Sequence, residues 1–426
     1  MNIALFLDVC DKARIKRELE LVEDGPCLGV FPAFLRFLYT AHIVLDYENT
    51  LPLLILADKY NVVRLRKVCL AYANNRVIPH LTLCDVFHVW YQYATKCAHK
   101  DLTHSCVAVL AQSFKEIITD QSWEAAWQNL EREQLIALLS SSELCVTREY
   151  DIWQAIIKWL LAARHPERQS GLAVEKNLLA LVPLIRFPLM LPEELAKIET
   201  IPIGSIQGEN TGRASSPFVS SGGRSSTMPP SSSQKQLPSI HQFLSLPLLS
   251  AYKFNALPLA TRSLVKEFGG QQYVLRNYTD LRWDKRIDLS NFSEIPRYSE
   301  VSLCFSTRAS SSLAQQIWDW ELKLYPKGYA QSSSQGHHTA GNEFRAYLLA
   351  SNLILDQTRA VEFLLSVVDD KRIVKSVLGQ KNFSKSRCSI DMETEAEISI
   401  NALLTDNPTL LSHDTLRLQI TLRPIT

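Results

Sequence analysis

The stretch Leu138–Leu160, LLSSSELCVTREYDIWQAIIKWL, decides how the rest of the chain is read. Within and just beyond it, Ile152, Ile156, Trp159 and Ala163 recur at i, i+4, i+7 and i+11, while Asp151 and Lys158 fall on other sides. This period predicts an amphipathic helix over 149–164 with one face on a core. Thr147 is placed to cap it, as Thr82 is for an earlier helix. Trp153 and Trp159 then read as packing residues.

Working toward the N-terminus, apolar residues keep helical spacing over Phe31–Pro202. Phe34, Phe37 and Leu38 share a face, and Asn49 or Thr50 can cap a helix carrying Pro52 in its first turn. Toward the C-terminus the composition changes. Residues 203–238 are dominated by Ser, Gly and Pro. They hold too little apolar surface to offset ordering entropy, so they read as a disordered linker. A coil of that length spans on the order of 30 Å and would let its flanking domains reorient freely. A connecting segment, 239–272, follows.

From Tyr273 the period is two. Trp318, Trp320, Leu322 and Leu324 alternate with Asp319, Glu321 and Lys323; Leu416, Leu418, Ile420 and Leu422 alternate with Arg417, Gln419, Thr421 and Arg423. Val301–Arg308, Phe344–Ala350, Val361–Val368 and Ile398–Leu403 are further strand candidates. Short half-buried strands separated by Gly, Ser and Asn turns predict an antiparallel sandwich. No repeat of fixed period is visible, which argues against propeller blades.

Three stretches resemble known families. FLRFLYT (Phe34–Thr40), a short strand at Ile43–Leu45 and ADKYNV (Ala57–Val62) resemble the C-terminal half of a BTB/POZ domain, over 19–76. Leu138–Leu160 with LVPLIRFPLM (Leu181–Met190) resembles a BACK domain, over 77–202, through Ser142, Leu144, Val146, Glu149, Ala155 and Trp159. WDWELKLYPKG (Trp318–Gly328) and SHDTLRLQITL (Ser412–Leu422) resemble a TRAF-like (MATH) sandwich, over 273–426. The expected architecture is a truncated BTB half and an all-α BACK region, joined by a flexible linker to an all-β sandwich.

The resemblance implies a non-catalytic adaptor that lends a substrate-binding domain to a cullin-3 ubiquitin ligase. It places Tyr39, Thr40, Asp58, Lys59 and Tyr60 on the cullin-facing surface and a protein target on the sandwich. Too few residues precede Phe34 to supply the opening strands and helix of a BTB domain. Homodimerisation therefore does not carry over. A second implied reading is a secreted or scaffolding oligomer with no part in ubiquitin transfer.

The residues exclude several chemistries. Gly222-Gly223 and Gly269-Gly270 lack the Lys-Ser/Thr of a phosphate loop. There is no Gly-x-Ser-x-Gly, His-Glu-x-x-His or Cys-x-x-Cys, so no RING-type zinc site is expected. Cys97, His99, His104 and Cys106 form the one group of soft ligands, read as core thiols and surface imidazoles rather than a metal site. His337-His338 reads as loop. Arg36, Arg64, Arg66 and Lys67 read as a solvated helix face.

A net charge of +1, from 45 basic and 44 acidic side chains, gives no global pull toward nucleic acid. No apolar run has the roughly 20 residues that cross a bilayer. Ile3–Leu7 is broken by Asp8 and followed, not preceded, by Lys12, Arg14, Lys16 and Arg17, unlike a secretory leader. With nine cysteines lacking paired spacing, this points to reduced thiols and a cytoplasmic location. No cofactor is expected.

Overall fold

The computed structural model describes residues 22–169, 171–200, 240–308, 317–332, 338–353, 358–394 and 397–425. The stretch from Ile3 to Arg17 and the Ser/Gly/Pro-rich segment 203–238 lie outside them. The chain divides between Ser113 and Phe114 into two compact units.

The first unit is helical. Helix α1 (Gly25–Thr40) carries Pro26 in its first turn, where a missing N–H leaves no helical bond unmade. It buries Cys27, Phe34 and Phe37 and closes on Ala41 in the left-handed region. Helix α2 (Thr50–Lys59) has Asn49 at its cap and keeps Leu53, Leu54, Leu56 and Ala57 wholly out of water. Helix α3 (Val63–Tyr72) adds Leu65 and Cys69 to that core. The strand expected at Ile43–Leu45 is not formed. The segment is extended without a ladder partner, and Asn49 Nδ2 ties it down instead, donating to Val44 O (3.2 Å). Thr82 caps the next helical run as expected, its hydroxyl accepting from Asp85 N at 3.1 Å. Helices α4 (Tyr91–Lys96) and α5 (Lys100–Gln112) complete the unit.

The second unit opens with helices α6 (Phe114–Thr119), α7 (Glu124–Gln128), α8 (Arg132–Leu139) and α9 (Glu149–Leu160). Helix α9 buries Ile152, Trp153, Ile156 and Trp159, as its periodicity requires. Two of the buried indole N–H groups find backbone carbonyls: Trp159 donates to Leu130 O and Trp127 to Ala155 O, each at 2.8 Å. The helix stops at Leu160, so Ala163 lies beyond it, with Pro166 three residues on. Its cap sits one residue later than Thr147: the N–H of Arg148 is met by Asp151 at 3.2 Å. Helices α10 (Gly171–Leu181), α11 (Pro192–Glu199), α12 (Ile240–Ala256) and α13 (Leu259–Leu264) follow.

A two-residue strand before α9, β1 (Cys145–Val146), pairs in parallel with β2 (Asn277–Tyr278). The sandwich follows: β3 (Asp284–Leu289), β4 (Val301–Arg308), β5 (Ile317–Tyr325), β6 (Tyr329–Ser332), β7 (His338–Gly341), β8 (Arg345–Ser351), β9 (Arg359–Val368), β10 (Ile373–Phe383), β11 (Ser389–Asp391) and β12 (Leu416–Pro424). One antiparallel sheet runs β10-β9-β12-β3, the other β11-β8-β5-β4, with β6–β7 a separate hairpin.

Trp320, Leu322, Leu324 and Leu348 face Phe363, Leu365, Leu418 and Ile420 in one core. Each such side chain contributes on the order of 1.5–3 kcal/mol by leaving water. The Trp320 indole donates to Thr307 Oγ1 (2.9 Å) and packs edge-on against Phe383 at 5.2 Å. At the β5–β6 turn, Gly328 has φ +100°, and a Cβ there would lie 2.6 Å from Gly341 O, so only glycine fits.

One expected strand is a helix. Over Ile398–Leu403 the chain forms α14 (Ile400–Asp406), because Ile400, Leu403 and Leu404 meet the core at i, i+3 and i+4 rather than by alternation.

Candidate interaction surfaces

The five residues assigned to a partner surface occupy the first unit in two different states. Tyr39, at the end of α1, is 80% exposed and Thr40 beside it is exposed, its hydroxyl donating back to Arg36 O (2.8 Å). Lys59 reaches Glu23 Oε1 and Val22 O, both at 2.9 Å. Tyr60 and Asp58 are tied into the unit itself. The Tyr60 ring lies 5.4 Å from Phe34 and 6.3 Å from Phe31, and its hydroxyl donates to Glu23. Burial, then that bond, pushes the phenol up to about 12. Burial works against charge on Glu23, but the hydrogen bonds from Tyr60 and Lys59 outweigh it and hold the carboxyl below its ordinary value.

Asp58 is a hub. His99 Nε2 lies 2.6 Å from its Oδ2, the Tyr93 hydroxyl donates to the same oxygen, and Arg66 Nη1 approaches Oδ1 at 3.4 Å. Burial, then the bond to Asp58, drives the Tyr93 phenol well above its usual value. The four soft ligands read from the sequence do not converge. Cys106 is buried in the core and His104 is exposed on α5; Cys97, expected to face the core, is exposed. Cys97 and His99 join Asp58 instead, with one ligand atom from each lying within 4.8 Å of the others. Asp58 is about forty residues away in sequence, so spacing alone could not reveal the grouping.

In the second unit one sheet of the sandwich is partly covered: Arg286 on β3 and Arg417 and Gln419 on β12 are buried, whereas Lys375, Leu378 and Gln380 on β10 are exposed. Arg286, Arg417 and Gln419, which alternation assigns to solvent, are buried against residues 142–143 and 273–275. Arg417 is 4% exposed and Gln419 6%. Arg417 donates to Glu143, to Asp370 Oδ1 (2.7 Å) and to Asp288 Oδ1 (3.2 Å). Arg286 joins the same Glu143 at 2.6 Å. Gln419 accepts from Leu275 N (3.0 Å) and donates to Tyr273 O (3.3 Å). Beside them, Glu362 on β9 accepts from the first N–H groups of α13, Leu259 (3.4 Å) and Ala260 (3.3 Å), as a carboxylate at a helix start should.

Below the β1–β2 bridge sits a buried charged cluster. Glu149 has no exposed surface; its Oε1 accepts from Arg186 N (2.8 Å), and its Oε2 accepts from Tyr278 (2.6 Å) and lies 3.3 Å from Arg276 Nε. Arg276 also donates to Leu139, Ser141 and Leu184 carbonyls at 2.8–2.9 Å, and Arg186 to Ser142 Oγ at 2.7 Å. Burial, then the neighbouring Arg276, lowers the Arg186 guanidinium to about 9. Ser142 and Glu149, which carry the BACK resemblance, are thus contacts that fasten the sandwich.

The opposite sheet keeps its outer face in water among the described residues. Ser302, Cys304 and Ser306 are exposed, and Glu321, Lys323 and Asp319 are half-buried beside them. At one end Tyr325, Tyr329 and Tyr347 form a triad with ring centroids 4.7–6.0 Å apart. Tyr325 donates to Glu300, whose carboxyl is held low first by that bond and then by Lys323. Burial, then Asp391, pushes Tyr347 up to about 12. No described helix is long and apolar enough to cross a membrane.

Comparison with known proteins matches these parts separately. Residues 88–199 match the family model for BACK (BTB And C-terminal Kelch), and residues 273–426 match that for the BTBD17 TRAF domain. Among curated proteins, the chain is similar to BTB/POZ domain-containing protein 17 of Xenopus laevis, 28% identical over 182 residues, covering 43% of this chain and 36% of the relative. It is 28% identical over 200 residues to the Homo sapiens protein of that name, covering 47% and 38%. It is 30% identical over 180 residues to galectin-3-binding protein of Mus musculus, covering 41% and 28%. The chain thus spans well under half the length of these relatives. Residues 88–199 are thus similar to a BACK region and residues 273–426 to a BTBD17 TRAF domain.

Proposed function

We propose that this chain is a protein-interaction adaptor, the substrate-recruiting subunit of a cullin-3 ubiquitin ligase. Both matched domains are non-catalytic and of adaptor type. In this reading Tyr39, Thr40 and Lys59 contact the scaffold, with Asp58 and Tyr60 holding their helices in place. An aromatic ring with a polar tip, as at Tyr39, is the type favoured at interface anchors. The single observation that carries the reading is the asymmetry of the sandwich. One sheet is partly covered, at β3 and β12, by residues 142–143 and 273–275, whereas the face of β4, β5, β8 and β11 with its tyrosine triad stays in water and takes the target in this reading.

The test is binding of the purified chain to the N-terminal region of cullin-3. Saturable binding is expected, weakened at least about tenfold by Tyr39→Ala, the scale of a hot-spot loss. Because Tyr39 is exposed, that variant should melt like the parent. A folded chain that shows no saturable binding would sink the adaptor reading. The similarity to galectin-3-binding protein favours a second reading, a scaffolding oligomer without a role in ubiquitin transfer. Oligomers in solution together with no cullin binding would select it.

A further inference from the structure

We infer that Asp58, Cys97 and His99 form a binding site for a borderline-soft divalent ion of the zinc type. The three present a carboxylate oxygen, a thiol sulfur and an imidazole nitrogen, the donor set that zinc accepts. Bonds of about 2.0–2.3 Å in tetrahedral geometry put neighbouring ligand atoms roughly 3.3–3.8 Å apart. Here the ligand atoms all lie within 4.8 Å of one another, with Asp58 Oδ2 and His99 Nε2 at 2.6 Å. Reaching the tetrahedral spacing takes ligand-atom shifts of up to about 1 Å.

The surroundings suit it as well. Cys97 and His99 flank Ala98, whose left-handed φ of 55° turns the chain between α4 and α5, so both ligands come from one rigid corner. Asp58 comes from the end of α2 and keeps Arg66 on its other oxygen, an outer partner that orients the carboxylate. Tyr93, donating to Asp58, stands as a fourth neighbour. On binding, the Cys97 thiol proton and the hydrogen of the Asp58–His99 contact leave to solvent, His99 coordinates through Nε2, and the carboxylate and thiolate balance the 2+ charge. Exposure of Cys97 gives the ion a way in.

Cobalt(II) is the probe, titrated into the reduced, tag-free full chain and then displaced by zinc. One ion per chain is expected, with the near-ultraviolet thiolate-to-cobalt band. Cys97→Ser should abolish the band and weaken zinc binding at least about a hundredfold, and His99→Gln should weaken it similarly. Asp58→Ala removes a hub and is a poor test of binding; Cys97→Ser alters an exposed side chain and should keep the parent's melting temperature. Cys84→Ser and Cys304→Ser, exposed thiols elsewhere, should change nothing. A band that survives Cys97→Ser, or a parent that binds zinc no more tightly than that variant, overturns the site.

Discussion

Glu149 shows how much rests on one side chain. Among the described residues it is the carboxylate that meets Arg186, Arg276 and Tyr278, all buried, and it accepts from a backbone N–H as well. Removing the charge of one partner in such a cluster leaves the other uncompensated in a poor solvent for ions. Glu149→Gln is therefore expected to lower stability by about 3–5 kcal/mol. Lys158→Gln, on the exposed side of the same helix, should be neutral within about 0.5 kcal/mol. Urea midpoints of the two variants check this. The sequence marks Glu149 as notable only through resemblance. Nothing in its spacing tells that its partners are Arg276 and Tyr278, over a hundred residues away, because buried ion pairing is a tertiary fact. The same holds for Asp58, whose partners Arg66, Tyr93 and His99 come from α3, α4 and the corner before α5.

Elements were legible in proportion to their local pattern. Helix α9 and strands β5 and β12 bury the residues that periodicity selects within them, since one clear apolar face determines each, while Ala163, past the end of α9, is exposed. Strand β10, the longest, passed unnoticed: IVKSVLGQKNF breaks its alternation with a register shift at Ile373/Lys375 and with Gly379, whose missing Cβ makes room for the Phe363 ring. The β9–β10 connection is held by Asp369, accepting from Lys371 N (2.8 Å), Arg372 N (2.7 Å) and Asn407 Nδ2 (3.2 Å).

Burial opposes charge there, but these donors prevail and hold the carboxyl below its ordinary value. A depressed folded-state pKa stabilises above the unfolded value and is lost as pH falls through the folded one. With an unfolded aspartate near 3.9, the contribution should be intact above about pH 5 and decline below about pH 4. Denaturant midpoints measured from pH 2 to 7 should fall at the acid end, and Asp369→Asn should flatten that part of the profile. An unchanged acid slope in the variant would remove Asp369 from the account.

At the scale of the second unit, the sequence suggests beads on a string and the structure gives a docked pair. A Ser/Gly/Pro-rich joint is a statement about the joint alone. It says nothing of the surfaces on either side, and here those surfaces are complementary. Arg417 and Gln419 read as the wet side of a half-buried strand because alternation sees only one core. They are buried because residues 142–143 and 273–275 pack over them. The consequence for function is geometric: a target on the open sheet would be held at a fixed distance and angle from the BACK helices, rather than anywhere within reach of a coil.

That fixed placement is the central claim, and pulsed electron spin resonance tests it most directly. Nitroxides attached at Lys158 on α9 and Ser302 on β4, both exposed, by a chemistry that spares cysteine, report one inter-domain distance. Docking predicts a single narrow distance population, broadened by Glu149→Gln. A broad distribution in the unaltered chain, of the kind a flexible tether gives, would contradict it.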